Sequence, residues 1–163
     1  LVILLIRPFN VGDYVEGAGH NGVIEKIGMF YTHMVSVDNK LILVPNGTLA
    51  NGSIVNYSAK DLRRVDLTFG VGYEQDILKV KRVLSNIVEA HDLILKTPEP
   101  FIALSNHGDS AINFVVRVWV NNSDYWKVHF DLLESVKVAF DNEDISIPYP
   151  QKDLHIKNEG LSK

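Results

Sequence analysis

Residues 64–96 read RVDLTFGVGYEQDILKVKRVLSNIVEAHDLILK, and this stretch decides the fold of the second half of the chain. Between Val65 and Val71 every second residue is apolar, which predicts a β-strand with one buried face. From Glu74 to Lys96 the apolar residues recur every three or four positions, which predicts an amphipathic helix. Two prolines just beyond the stretch end that helix. A strand followed directly by such a helix indicates a mixed α and β domain.

The remainder of the second half continues this alternation of strands and helices. Residues 101–120, FIALSNHGDSAINFVVRVWV, predict two strands around a turn at His107-Gly108-Asp109. Residues 124–142 predict a second helix with Asp124 as its N-cap, and residues 144–150, DISIPYP, predict a closing strand. The order β-α-β-β-α-β is the ferredoxin-like arrangement.

The first half is rich in glycine and reads as short strands. Apolar pieces at residues 23–27, 29–37 and 41–44 are separated by turn-forming residues, which indicates a small β-barrel or a curled sheet. The polar run SAKDLRR at 58–64 marks a domain boundary. The fold class predicted for the chain is therefore α+β, with a barrel-like β-domain before the ferredoxin-like domain.

Two Asn-Gly pairs stand in this β-rich half and are candidate structural turns. They are Asn46-Gly47 and Asn51-Gly52. Because Asn-Gly pairs favour tight turns with positive φ, we expect both glycines to serve backbone geometry rather than ligand binding.

Composition narrows the possible functions. The 163 residues are 46% hydrophobic and carry a formal net charge of −4, which is typical of a globular protein and argues against a general nucleic-acid binder. There is no cysteine, so disulfides, thiolate metal sites and cysteine catalysis are excluded.

Few residues suggest chemistry, and we predict no enzyme, no cofactor and no metal site. Ser105, His107 and Asp109 resemble triad residues, but they fall within one predicted hairpin, where the geometry of acyl transfer is not available. His107 and Asp109 share a strand face and could touch one metal ion, but no third ligand is in view. Phe114 and Trp119 are five residues apart and hence on opposite faces, which argues against stacking on RNA.

The chain opens with LVILLI, residues 1–6, followed by Arg7 and Pro8. As a helix this run reaches only about 9 Å, far short of a hydrocarbon core of about 30 Å. Two interpretations remain open at this point. The run is either a buried strand or the end of a longer apolar segment.

Several motifs together resemble one known family. They are RPFNVGDYV (7–15), GVIEKIGMFYT (22–32), DNKLILVPNGTLANGSIVNYS (38–58), RRVDL (63–67), INFVVRVWV (112–120) and DISIPYPQKDLHI (144–156). In this order and spacing they resemble the cytoplasmic part of the small-conductance mechanosensitive channels, the MscS type. The resemblance covers essentially the whole chain.

The resemblance implies a domain layout and a set of site residues. The layout is 1–6 as a remnant of the pore-lining helix, 7–59 as a β-domain, 60–150 as an α/β domain, and 151–163 as a C-terminal strand and tail. Arg7, Pro8 and Phe9 are implied to lie at the membrane junction. Leu154 and Ile156 are implied to join a β-barrel formed between subunits.

The resemblance also implies a function and partners. The whole channel would open under bilayer tension and release ions and small solutes during hypo-osmotic shock, from the inner membrane of a bacterium. Seven copies would form a vestibule on the cytoplasmic side, and this chain would assemble and filter solutes while the tension-sensing helices lie outside it. The alternative is a soluble ferredoxin-like module that binds a ligand or RNA.

Overall fold

The alternating apolar residues of the first half form five antiparallel strands and one short helix in the computed structural model, which describes residues 8–157. In chain order these are β1 (Tyr14–Gly17), β2 (His20–Ile27), β3 (Tyr31–Val35), β4 (Leu41–Pro45), α1 (Asn46–Ala50) and β5 (Val55–Asn56). The strand order is β4-β3-β2-β1-β5, so β4 and β5 are the two edges of the sheet. These elements belong to the first of two units, Leu1–Asp61, here called unit 1.

Unit 1 has a small apolar core to which nearly every element contributes one side chain. The buried residues are Phe9, Val15, Ile24, Met34, Val44 and Leu49. They come from the segment before β1, from the strands β1 to β4 and from α1. The three strands predicted over 23–27, 29–37 and 41–44 are confirmed as β2, β3 and β4.

The second unit, Leu62–Lys163, contains a three-stranded antiparallel sheet and two long helices. Its elements are β6 (Leu62–Val71), α2 (Ile77–Ala90), β7 (Phe101–His107), β8 (Ile112–Asn121), a 3₁₀ turn (Asn122–Asp124) and α3 (Tyr125–Asn142). The strand order is β6-β8-β7, and β6 pairs with β8 along its whole length. Alternate residues of these two strands and one face of each helix form the core of unit 2. The predicted α+β class is confirmed.

Helix α2 is shorter than the periodic pattern predicts. It starts after Asp76, whose carboxylate accepts a hydrogen bond from Lys79 N at 3.0 Å, but it ends at Ala90 rather than Lys96. His91 is extended, and the chain that follows is held to the sheet by a bond from Leu95 N to Trp119 O of 2.9 Å. Contacts with the sheet therefore outweigh the helical pattern in these last residues.

Asp124 is the N-cap residue of α3, as predicted, although its side chain makes no capping bond and a 3₁₀ turn leads into the helix. A further prediction for unit 2 is wrong. Residues 144–150 are not a strand. Asp144 has a φ of 55°, and Pro148 and Pro150 lack the N–H that a ladder needs. The segment still accepts a hydrogen bond from Gly72 N at Ser146 O, at 3.0 Å.

The positive φ expected at Gly47 and Gly52 is also wrong. Among the glycines of residues 8–157, positive φ occurs at Gly12 (96°) and Gly19 (79°). Gly47 lies inside helix α1, and Asn51 is the residue that ends this helix, with its N–H bonded to Gly47 O at 3.1 Å. The pair at 46–47 therefore continues β4 into a helix instead of reversing the chain.

Candidate functional site

The segment that leads into β1 is the first candidate functional region. Arg7 and residues 1–6 lie outside the described residues. Pro8 is exposed, whereas Phe9 is only 1% exposed and belongs to the core of unit 1. Of the three predicted junction residues, Phe9 is thus placed as an apolar anchor for the segment that follows the N-terminal apolar run.

A polar network joins residues 8–14, near the beginning of unit 1, to residues 56–58, near its end. The Asp13 carboxylate accepts hydrogen bonds from Asn10 N at 2.9 Å and from the Asn56 side-chain amide at 3.0 Å. The same amide donates to Pro8 O at 3.4 Å. Tyr14 N donates to the Ser58 hydroxyl at 2.9 Å. Residues before β1 and residues at and after β5 are therefore bonded side by side.

A second polar cluster lies in the interior of unit 1, centred on Asn46. This side chain is 5% exposed and accepts a hydrogen bond from the hydroxyl of the fully buried Thr32 at 2.8 Å. Its amide donates to Gly28 O at 2.9 Å and Met29 O at 3.2 Å, and its backbone N–H donates to Phe30 O at 2.8 Å. Asn46 thus fixes the loop between β2 and β3, which is a larger role than the predicted turn.

The segment after α3 is bonded to the turn between β7 and β8. Gln151 N donates to the Ser110 hydroxyl at 3.0 Å, and the Tyr73 hydroxyl donates to Gly108 O in the same turn. Beyond this point Leu154 and Ile156 are 82% and 79% exposed. The two predicted barrel residues therefore present apolar surface to solvent in the single chain.

No arrangement for catalysis or metal binding emerges at the positions that the sequence singled out. Ser105, His107 and Asp109 are all exposed on or beside β7. Within residues 8–157 no group of three or more His, Asp or Glu side chains is placed to hold a metal ion. Phe114 is fully buried in the core, so it cannot stack on a base as an RNA-binding strand would require.

An ion-paired cluster connects the end of α2 to α3. His91 Nε2 lies 2.8 Å from Asp131 Oδ2, and Lys127 Nζ lies 3.2 Å from the same oxygen. Because His91 Nδ1 accepts a hydrogen bond from Leu93 N, the proton of the neutral ring is at Nε2 and is donated to Asp131. The hydrogen bond from His91, and then that from Lys127, hold the pKa of Asp131 below its ordinary value of 3.8.

Sequence reasoning missed most of these contacts because their partners are distant along the chain. Asp13 and Asn56 are separated by 43 positions, and Ser110 and Gln151 by 41. Asn46 carried a local signal, the Asn-Gly pair, but that signal predicts a turn and says nothing about burial. A polar residue directly after the apolar run of β4 is the only hint that the sequence offers.

Family models match both halves of the chain. Residues 1–59 match the model described as "Mechanosensitive ion channel, beta-domain", and residues 65–147 match "Mechanosensitive ion channel MscS, C-terminal". The family comprises channels rather than enzymes. In residues 8–157 no helix combines the length and the apolar character needed to cross a bilayer.

Individual relatives agree with these matches. The small-conductance mechanosensitive channel of Edwardsiella ictaluri is 44% identical over 96% of this chain and 54% of its own length. An MscS family protein of Synechocystis is 39% identical over 96% of this chain and 53% of its own length. The chain thus spans about half the length of the curated relatives that it matches.

Solved structures show the same likeness. The crystal structure of Helicobacter pylori MscS in the closed state superposes with a TM-score of 0.90 and 34% identity, over 97% of this chain and 63% of that one. Arabidopsis MSL1 superposes with a TM-score of 0.77 at 16% identity, over 91% of this chain and 54% of that one, which shows the shared fold. The chain belongs to the MscS family of mechanosensitive ion channels.

Proposed function

We propose that this chain is the cytoplasmic vestibule of a mechanosensitive channel in a bacterial inner membrane. The channel opens under bilayer tension and releases ions and small solutes during hypo-osmotic shock. The observation that carries the proposal is the superposition of 97% of the chain on Helicobacter pylori MscS with a TM-score of 0.90. The vestibule assembles below the pore and filters solutes by size and charge.

In this proposal the domain layout follows the function. Residues 1–6 end the pore-lining helix, Arg7, Pro8 and Phe9 form the membrane junction, 7–59 is the β-domain, 60–150 the α/β domain and 151–163 the tail. Burial of Phe9 supports the junction, because an anchored residue passes movement of the pore helix into the β-domain.

A chimeric channel tests the proposed function. The chain replaces the matching half of the Edwardsiella ictaluri relative, to which it is 44% identical. In cells that lack their own mechanosensitive channels, we expect the chimera to open under suction in patch recordings and to restore survival of hypo-osmotic shock.

The intact relative and its membrane half alone are the controls. A chimera that reaches the membrane and assembles, yet stays closed up to the tension that ruptures the patch, would contradict the proposal.

The proposed assembly is a ring of seven copies whose tails form one β-barrel. Exposed apolar side chains support it, since Tyr149, Leu154 and Ile156 are each about four-fifths exposed in the single chain. A lone strand is not stable in water, and a closed ring lets every copy use the same interface.

Light scattering across a dilution series tests this assembly on the chain itself and on a chain that ends at Tyr149. We expect a mass near seven times 18.3 kDa at high concentration, with the shortened chain dissociating at a higher concentration. The mass of one chain at every concentration would refute the ring. Identical dissociation profiles would remove the role of the tail.

A further inference from the structure

The contacts around Asp13 also bear on how force would travel through unit 1. Here the incoming segment is residues 8–13 and the outgoing segment is residues 56–61, which leads into unit 2. In the proposed channel, tension reaches this chain through the incoming segment. The chain between the two segments, residues 14–55, is 42 residues long, yet the two segments touch directly.

The pairing of strands explains why they touch. β1 and β5 are antiparallel, with Val15 opposite Asn56 and Glu16 opposite Val55. The beginning of β1 therefore lies beside the end of β5. At that end the Asn56 amide bonds to Asp13 and to Pro8 O, and Tyr57 N donates to Tyr14 O at 3.0 Å.

This geometry determines which bond is loaded first. When the adjoining ends of two antiparallel strands are pulled apart, their bonds open one after another, as in a zipper, and the outermost bond carries the force first. Here the contacts nearest those ends are the bonds from the Asn56 amide to Pro8 O and to Asp13, and the bond from Tyr14 N to the Ser58 hydroxyl. Phe9 holds the incoming segment to the core of unit 1.

We propose that the Asp13–Asn56 bridge is a force-coupling element, which passes pull on the incoming segment directly to the outgoing segment without crossing the five-stranded sheet. The inference rests on the proposed function, because only a membrane-attached channel loads this segment. Asp13 and Asn56 act as positioning residues. They keep the beginning and the end of unit 1 together while the channel gates.

The cysteine-free sequence allows the bridge to be pulled directly. Force handles are attached to one cysteine added before Leu1 and another at Asp61→Cys, so that pulling separates the incoming and outgoing segments. In the reference geometry the cysteines are His20→Cys and Val37→Cys, at two exposed positions at one end of the β2–β3 pair. Both geometries open an antiparallel pair from its end, but only the first loads the bridge.

Asn56→Ala removes the bonds of the Asn56 amide to Asp13 and to Pro8 O, and should speed the first opening at fixed force by at least about fivefold in the first geometry. In the reference geometry the opening rate should be unchanged. Asn51→Ala, which changes an exposed asparagine of the same unit, is the matched control and should change neither rate. Equal acceleration in both geometries would mean a general loss of stability and would overturn the proposal.

Asn56→Asp sharpens the test, because it places two carboxylates against each other. At pH 7 their repulsion should open the bridge faster than Asn56→Ala does. A rate no faster than that of Asn56→Ala would contradict the assigned contact.

The chimeric channel provides the functional readout. Asn56→Ala should shift its opening tension relative to Asn51→Ala at equal expression and assembly. An unshifted threshold overturns the coupling role even if the bridge is mechanically real. A chimera that never opens with any sequence at residue 56 refutes the proposed function instead, and the pulling experiment then decides on the bridge alone.

Discussion

The two units of the chain are stabilised by different kinds of interaction. Unit 2 buries apolar side chains from β6, β8 and both helices, among them Phe114 and Phe140. Unit 1 has a smaller apolar core and contains two buried polar residues, Thr32 and Asn46, whose side chains bond to each other and to the backbone. We therefore expect unit 2 to depend on the volume of its side chains and unit 1 to depend on particular polar atoms.

The largest expected effect is the loss of a core aromatic in unit 2. Phe140 is fully buried and packs edge-on against Phe69, so Phe140→Ala should lower the free energy of unfolding by about 3–5 kcal/mol. Both tryptophans, Trp119 and Trp126, lie in unit 2, so urea unfolding followed by their fluorescence reports on this unit alone.

Phe130→Ala is the matched control on the same helix, because that ring is 60% exposed. Its unfolding free energy should change by less than about 1 kcal/mol. Equal losses of unfolding free energy for the two variants would show that the burial of Phe140 does not determine its contribution to the stability of unit 2.

The next effect concerns the polar cluster of unit 1. Asn46→Ala leaves the Thr32 hydroxyl and the carbonyls of Gly28 and Met29 without this partner, and should cost about 2–3 kcal/mol. Hydrogen exchange of the backbone amides of β3 and β4 measures this loss of stability. Tryptophan fluorescence cannot report on unit 1, because it contains no tryptophan.

Asn51→Ala is the matched control, because it removes the same kind of side chain from an exposed position. Its free energy of unfolding should change by less than about 0.5 kcal/mol. If the amides of β3 and β4 exchange no faster in Asn46→Ala than in Asn51→Ala, the stability of unit 1 does not depend on the buried Asn46 amide. The two units would then not differ in their dependence on particular polar atoms.

A smaller effect is expected at the surface of unit 2, where a polar contact supplements the apolar core. The pKa of Asp131 is lowered chiefly by the hydrogen bond from His91, so the ionised form stabilises the folded state. That stability is present above the unfolded-state pKa and is lost as pH falls through the lowered folded-state pKa. Asp131→Asn should therefore differ most from the unchanged chain above about pH 5, with the difference shrinking toward pH 3.

Thermal unfolding at a series of pH values measures this difference. Lys127→Met removes only the second of the two bonds and should retain part of the pH dependence. Parallel stability curves for the unchanged chain and Asp131→Asn from pH 3 to pH 7 would contradict the assigned contact.

The smallest effect tests the backbone of unit 1. Gly47 lies in α1, its φ is not positive, and a Cβ there would meet no atom within 4 Å, so Gly47→Ala should stabilise the fold by about 0.4–1 kcal/mol. Gly12 has equally open space but a φ of 96°, and Gly12→Ala should be destabilising. The melting temperatures of the two variants should move in opposite directions, and a shift in the same direction would contradict these backbone assignments.

Periodic patterns predicted the parts of the fold that obey local rules. The alternation from Val65 to Val71 is a strand, and the stripe from Ile77 is a helix, because each pattern reflects one buried face. The end of α2 and the form of residues 144–150 depend on what the rest of unit 2 offers, which periodicity does not reveal. In the candidate site, the family resemblance pointed to Phe9 and to the tail. The Asp13–Asn56 bridge could not be predicted in this way, because its two residues are distant in sequence and only the pairing of β1 with β5 brings them together.

The hydrogen bond from Gln151 N to the Ser110 hydroxyl fixes the point from which Leu154 and Ile156 extend. From Gln151 to Lys157 an extended chain reaches at most about 20 Å, so these two residues stay within that distance of a fixed origin. In a ring of the proposed kind, the tails would meet at an effective concentration set by this short tether rather than by the amount of protein. A single hydroxyl at the end of a hairpin would thereby lower the entropy lost when seven tails join, without itself touching any of the partners.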